Sequence, residues 1–340
     1  MSADPWLSIL LPVFNVEPYL RECVESIVQQ CDEHVEIVLL DDCATDGSAD
    51  LMRTLQSEWP GRLTLMKHER NRGLSAARNT MLAAAKGRYL WFVDSDDKLM
   101  PGALASLKSI VDQHAPELIL CDFKMWRQPT KLKHRLRGEL HRHTFKGPAR
   151  QLLTDRSALV EGMFSPGHMH IWSKISKREL WSGGLRFPEG RFFEDMPVTA
   201  RLALRARSYF YQDSVWVAYR QRAGSILAAM SEAKARDLSQ AMLGYRQEAL
   251  SCDPPLSHEA MFSIDFCVAK NFICVARYLD RAKPPTARAL GLEARANFDH
   301  SITLGPSSLR TAYRRHGWLW RWLRLAFWLR ALTPSKVGSP

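Results

Sequence analysis

In the first third of the chain, short apolar runs alternate with segments of helical period. Residues 7–13 (LSILLPV), 35–40 (VEIVLL), 62–66 and 89–93 (YLWFV) have the length and the β-branched or aromatic content of strands. Between them, residues 18–30 put Leu20, Val24, Ile27 and Val28 on one helical face, with Pro18 suited to a first turn. Residues 74–85 are alanine-rich, preceded by Gly73 and followed by Lys86-Gly87, so a second helix is expected there. Apolar strands with no polar alternation, separated by helices, predict an α/β fold: a mainly parallel sheet covered on both faces.

Periodicity fails over 127–150, which reads as a loop or hairpin excursion interleaved with His134, His141 and His143. Residues 159–179 and 196–207 return to helical spacing, and 214–220 (SVWVAYR) reads as a strand. From about residue 232 the pattern is helical, interrupted at Asp253-Pro254-Pro255 and Lys283-Pro284-Pro285. At 340 residues the chain can bury a sizeable core. It has no long charge-free apolar stretch of the length a spanning helix needs, and its start lacks the basic flank of a signal peptide. The seven cysteines form no CxxC pair, which fits reduced thiols better than a disulfide frame or a zinc site.

Charge is distributed unevenly. Residues 127–150 carry a net +7, and another +7 lies beyond Asp299, after which there is no acid; the remainder of the +11 chain is therefore at −3. The last segment, 309–332, combines Trp318, Trp320, Trp322 and Trp328 with arginines. On one continuous helix Arg310, Arg314, Arg321 and Arg324 would oppose Leu319, Trp322, Leu323 and Ala326. That is the composition of a helix lying on an anionic membrane surface; the alternative is a C-terminal helix packed back on the domain. The basic 127–150 stretch has few aromatics and no nucleic-acid motif, so no nucleic-acid partner is expected.

Two strands run into acid clusters: 35–40 into Asp41-Asp42-Cys43-Ala44-Thr45-Asp46-Gly47-Ser48, and 89–93 into Asp94-Ser95-Asp96-Asp97. In an open parallel sheet the carboxyl ends of the strands line one crevice, so both clusters would face it. Grouped carboxylates repel and resist desolvation, and a divalent cation carrying a diphosphate would relieve both. Asp, Gly and Ser also make turns and caps, which is the plainer reading of Asp46-Gly47-Ser48.

With these motifs in view, LSILLPVFN (7–15), DDCATDGS (41–48), NRGLSAARN (71–79), WFVDSDD (91–97), IWSKISKREL (171–180), FFED (192–195) and VAYRQRAGSI (217–226) resemble, in order, the motifs of family 2 glycosyltransferases. The resemblance implies a GT-A fold over about 1–225, followed by a helical region (226–305) and the basic tail (306–340). It also implies transfer of a sugar, with inversion, from a nucleotide diphosphate donor to an acceptor hydroxyl. Pro12 would border the nucleotide pocket, Asp41 and Asp42 would read a base such as uracil, and Arg78 would approach the base or diphosphate, or else pair with nearby acids. Asp94 and Asp96 correspond to the DxD acids that hold Mg²⁺ or Mn²⁺. Asp97 is either a further acid of the site or a cap for a helix near Pro101.

In FFED, Asp195, with Glu194 second, would be the general base. In a strand-like run the two would point to opposite faces, so one alone would enter the site. Trp172 is either an acceptor-side wall or core. Arg220 or Arg222 would clamp the diphosphate beneath a closing segment that includes Gly224 and Ser225. The expected protein is thus a metal-assisted glycosyltransferase using a UDP-hexose, peripheral on the cytosolic membrane face. Its acceptor would be a lipid-linked oligosaccharide or a surface polysaccharide. A nucleotidyltransferase would need a glycine-rich loop after the first strand, where LPVFNVEPY has none. A non-catalytic binding protein would use the same acids structurally.

Overall fold

The computed structural model of the chain describes residues 4–127, 129, 132–222 and 229–332. It begins with β1 (Leu7–Val13), α1 (Glu17–Val28), β2 (Val35–Asp41), α2 (Ser48–Glu58), β3 (Leu63–Lys67), α3 (Leu74–Ala84) and β4 (Tyr89–Phe92). The apolar runs and helical segments expected in this third are all present. Next come β5 (Lys98–Leu99), α4 (Ala103–His114), β6 (Leu118–Trp126), α5 (Leu132–Leu136), β7 (Leu152–Leu153), α6 (Arg156–Phe164), β8 (Lys174–Lys177), α7 (Asp195–Arg205) and β9 (Tyr209–Arg220). The rest is helical: α8 (Glu232–Gln240), α9 (Tyr245–Leu250), α10 (His258–Ala282), α11 (Ala287–Ser301), α12 (Pro306–Arg315) and α13 (Leu319–Ala331).

The described strands form one mixed sheet in the order β3-β2-β1-β4-β8-β6-β9-β5, with β7 beside β9. Pairing is parallel through β3, β2, β1 and β4 and again between β6 and β9, while β8 runs antiparallel to both β4 and β6. Both faces are covered, and successive side chains divide between them. Ile9, Leu11, Ile37, Leu39 and Trp91 pack with α1, α2 and α4. Leu10, Val38, Leu40, Leu90 and Phe92 pack with α3, α6 and α7, in an apolar cluster that continues into α8, α10 and α11. β1, β2 and β4 are therefore apolar at nearly every position.

Two expectations are corrected here. The 159–179 stretch is not one helix: α6 stops at Phe164, Gly167 takes a φ of +74°, and residues 174–177 insert as β8. Helical spacing there came from residues that are buried on both sides of a strand. The tail is likewise not one continuous helix, because Gly317 at φ +67° separates α12 from α13 while the Trp318 N–H returns to the Tyr313 carbonyl. α13 docks on the domain through Leu325, fully buried, and through Trp318, whose ring lies 4.8 Å from Phe266 and carries the Arg321 guanidinium at 4.2 Å. Its other side exposes Trp320 (82%), Phe327 (61%), Leu319 and Leu323. No helix among the described residues is long and apolar enough to cross a membrane.

Candidate active site

Parallel register sets Val13 of β1 beside Asp41 of β2, and Leu10 beside Phe92 of β4, so the acid loops emerge at one sheet edge. The loop after β2 is shaped by side chains bonding backbone. Asp41 Oδ1 accepts from the Ala44 N–H at 2.8 Å, Asp46 accepts from the Ser48 and Glu17 N–H groups, and the Ser48 hydroxyl accepts from the Val16 N–H. Asp46-Gly47-Ser48 therefore does turn and capping work. Asp42 is buried, and both its oxygens are occupied. Oδ1 meets His68 Nδ1 at 2.6 Å and accepts from the Arg72 N–H at 2.9 Å, while Oδ2 accepts from the Gly73 N–H at 2.8 Å. Asp42 thus fixes the loop leading into α3, and Asp41 Oδ2 stands 3.7 Å from Lys67. The Pro12 carbonyl accepts from the Ser95 hydroxyl at 2.6 Å, tying the β4 loop to β1.

Arg78 occupies the centre. Carried by α3 and 1% exposed, its guanidinium donates to Asp94 Oδ1 (2.8 Å), Glu194 Oε1 (2.9 Å) and Asp195 Oδ1 (2.7 Å). Of the two readings of Arg78, pairing with nearby acids is the one this geometry displays. Burial works against its charge, but Asp195, Asp94 and Glu194 outweigh that and hold its pKa above the ordinary value. The expectation that only one acid of FFED enters the site is corrected. Phe193 takes a φ of +60°, and the chain turns into α7 with Glu194 just before its first residue and Asp195 as that residue. On a helical turn, neighbouring side chains are not opposed as they are on a strand, so both reach Arg78. Asp195 Oδ2 also accepts from the Ile171 N–H at 3.2 Å, and the helix N-terminus favours its charge. Burial first, and then Asp195, push the Glu194 carboxyl up to about 7.

The remaining acids of the β4 loop face β9. Asp96 Oδ2 lies 2.8 Å from Arg222 Nε, and its backbone carbonyl accepts from Arg220 Nε at 2.7 Å. Arg220 also pairs with Glu22 at 2.8 Å and stacks over Trp126 at 3.8 Å. Asp97 does not cap a helix: α4 begins at Ala103 behind Gly102, with no side-chain cap. Asp97 Oδ1 instead accepts from the Arg220 N–H at 2.8 Å, while its buried Oδ2 has no partner among the described residues. Burial and the neighbouring acids raise both Asp96 and Asp97 above the usual carboxylate range. Gly224 and Ser225 lie outside the described residues.

Trp172 is core: 1% exposed, with its carbonyl accepting from Trp91 Nε1 at 2.8 Å. It ends an aromatic stack that the sequence reading passed over. The His170 ring stacks on Trp172 at 4.7 Å with the two planes nearly parallel, and Tyr219 lies 5.5 Å from Trp172. The period-two run His168-Met169-His170-Ile171-Trp172 was the available signal, since alternation places the three rings on one face. Burial, and then the buried Lys174 ammonium, lower His170 to about 3 and His168 to about 4, so both rings are neutral.

The donor set fits a hard divalent cation. Asp94 and Asp96 offer carboxylate oxygens that are partly open to solvent (27% and 18%), enough for an ion that takes one or two carboxylates beside a diphosphate, and burial first, then the neighbouring acids, raises Asp96 and Asp97.

Residues 8–174 match the family model described as glycosyl transferase family 2. A curated relative, the glycosyltransferase GlyA of Streptococcus pneumoniae serotype 4, is 29% identical over 71% of this chain, which spans about a third (34%) of that protein. Among solved structures, S. aureus TarS 1-349 in complex with UDP is similar over 98% of this chain and 94% of its own, at TM-score 0.66 and 18% identity. The mannosyltransferase PcManGT from Pyrobaculum calidifontis, in complex with GDP-Man and Mn²⁺, is similar over 97% and 88% at TM-score 0.51 and 17% identity. The sheet with its acid loops is the GT-A architecture. Residues 8–174 belong to the family 2 glycosyltransferases.

The raised Glu194 carboxyl has a consequence for stability. Between its unfolded value near 4.5 and its folded value of about 7, the folded state holds the extra proton, so stability falls as pH rises through that window. Urea midpoints from pH 5 to pH 8 should show this decline, and Glu194→Gln should flatten it.

Proposed function

We propose that the protein transfers a hexose from a UDP-sugar to an acceptor hydroxyl by a single inverting displacement, in the synthesis of a surface polysaccharide or lipid-linked oligosaccharide. The observation that carries this reading is the Arg78 centre, which joins an acid of the β4 loop to two acids at the start of α7. Donor-side and acceptor-side carboxylates are thereby kept together without sharing one position. The catalytic part would be residues 1–225, with 226–305 and 306–340 as helical and basic additions.

In this reading Pro12, Asp41 and the Asp42-anchored loop border the base. The UDP complex of TarS supports UDP over the GDP-Man found with PcManGT, because TarS shares more of this fold. Asp94 and Asp96 would hold Mg²⁺ or Mn²⁺, which would offset the charge gathering on the departing diphosphate. Asp195 would take the acceptor proton as its oxygen attacks; no covalent nucleophile is required. One Asp195 oxygen is held by Arg78 and the other by a backbone N–H, which aims the carboxylate. Glu194, whose carboxyl is raised to about 7, stands second as the base. Arg220 is fixed by Glu22, Trp126 and the Asp96 carbonyl, whereas Arg222 is held on the Asp96 carboxylate and is the arginine free to turn toward a diphosphate.

The exposed apolar stripe of α13, flanked by arginines in a segment without acids, would rest on the anionic cytosolic face of a membrane. There it would meet a lipid-borne acceptor.

Calorimetry with UDP and GDP, each with and without Mn²⁺ or Mg²⁺, tests the donor site. UDP at a hundred times its dissociation constant should add about 2.7 kcal/mol of stability, should need the metal, and should lose the effect in Asp96→Ala. Asp195→Asn should keep UDP binding and lose about 10²- to 10⁴-fold in kcat. A chain indifferent to every nucleotide contradicts the reading. For the tail, sedimentation with phosphatidylglycerol vesicles should be salt-sensitive and weakened by Trp320→Ser with Phe327→Ser. Equal sedimentation of that variant would remove the membrane role.

A further inference from the structure

The 127–150 excursion and β6 together carry a second cluster of metal-ligating groups, separate from the acids after β2 and β4 and at the start of α7. Arg142 pairs with Phe123 as an isolated antiparallel bridge, each N–H bonding the other's carbonyl. His141 and His143, on either side of Arg142, therefore share one face, and so does Asp122, next to Phe123. A bulge in the β6–β9 ladder falls at Asp122. His141 Nε2 and His143 Nδ1 converge on one oxygen, Asp122 Oδ2, at 2.7 and 2.8 Å. The three ligand atoms lie within 4.8 Å of one another. The Tyr211 hydroxyl sits 2.9 Å from both carboxylate oxygens and 3.2 Å from His143 Nδ1. The Thr144 N–H holds Asp122 Oδ1 at 2.9 Å.

We propose that Asp122, His141 and His143 form a binding site for a divalent transition metal, suited best to Zn²⁺, that clamps the 137–144 loop onto β6. Two imidazoles and a carboxylate are borderline ligands of the kind Zn²⁺ takes, and with three protein ligands a fourth position stays open for water. Ligand atoms bonded to one tetrahedral ion at about 2.0–2.1 Å stand about 3.3 Å apart, so the present contacts need open by only about half an ångström. Asp122 is fully buried and already oriented through Oδ1, the outer support a metal-binding carboxylate needs, while both histidines are solvent-exposed and leave an entry path. Without a metal, three groups crowd a single buried oxygen; an ion between them would give the two nitrogens a common partner.

The site shares no ligand with the donor acids, and its test keeps the two apart. The full chain is stripped with EDTA, loaded with Zn²⁺, passed through a desalting column and assayed for metal. Wild type and Asp96→Ala should each retain about one equivalent, and His141→Ala with His143→Ala should retain none. Loaded with Co²⁺, the wild-type chain should give tetrahedral absorption and two paramagnetically shifted imidazole N–H resonances, a readout that needs no variant to fold. Retention unchanged by the double substitution, or a wild-type chain that holds no Zn²⁺ and gives no such Co²⁺ signature, overturns the proposal.

Discussion

A single buried cation organises this molecule's chemistry. Arg78 has almost no contact with solvent, yet three carboxylates from two distant stretches of chain converge on it: Asp94 after β4, and Glu194 and Asp195 at the start of α7. An uncompensated guanidinium in that position would be costly, and three carboxylates without it would repel. The packing of α3 against β1, which carries Arg78 inward, is therefore coupled to the placement of α7. The fork geometry of arginine is what lets one side chain meet partners on both sides, which a lysine ammonium would not do in the same way.

The charges around that centre are arranged in two tiers. Asp94 and Asp195 are held by Arg78, while Asp96 is held by Arg222 and Asp97 by the β9 backbone. The second tier is less well compensated: burial raises Asp96 and Asp97, and one Asp97 oxygen has no partner among the described residues. A site whose acids exceed its cations is one that favours a further positive charge, and the open acids are those of the DxD motif. Arg222 stands at the junction, bonded to the acid a metal would take and next to the undescribed residues 223–228.

Much of this was legible in the residues. β1, β2 and β4 are apolar apart from Ser8, Glu36 and the terminal Asp41, because both sheet faces are covered, and that pattern located them. The acids themselves stood out because each cluster comes directly after a buried strand. The contacts that bind the site together were not readable, since the partners of Arg78 lie 16, 116 and 117 positions away. β8 looked helical because a strand buried between β4 and β6 carries no alternation. Asp97 was open to two readings, a further acid of the site or a helix cap near Pro101; the cap fails because its partner, the Arg220 N–H, comes from β9. The tail divided at Gly317 for a reason visible only in three dimensions: Trp318 packs on α10, and the chain has to turn to put it there.

The central claim is that Arg78 holds Asp94, Glu194 and Asp195 together in one ion-paired unit. Equilibrium urea unfolding of Arg78→Met, alone and combined with Glu194→Gln, tests it most directly. The account predicts a loss of about 3–5 kcal/mol in the single variant, with part of it restored when Glu194 is neutralised, because one repelling charge has then been removed. An Arg78→Met chain as stable as wild type, or a double variant no more stable than the single one, would contradict it.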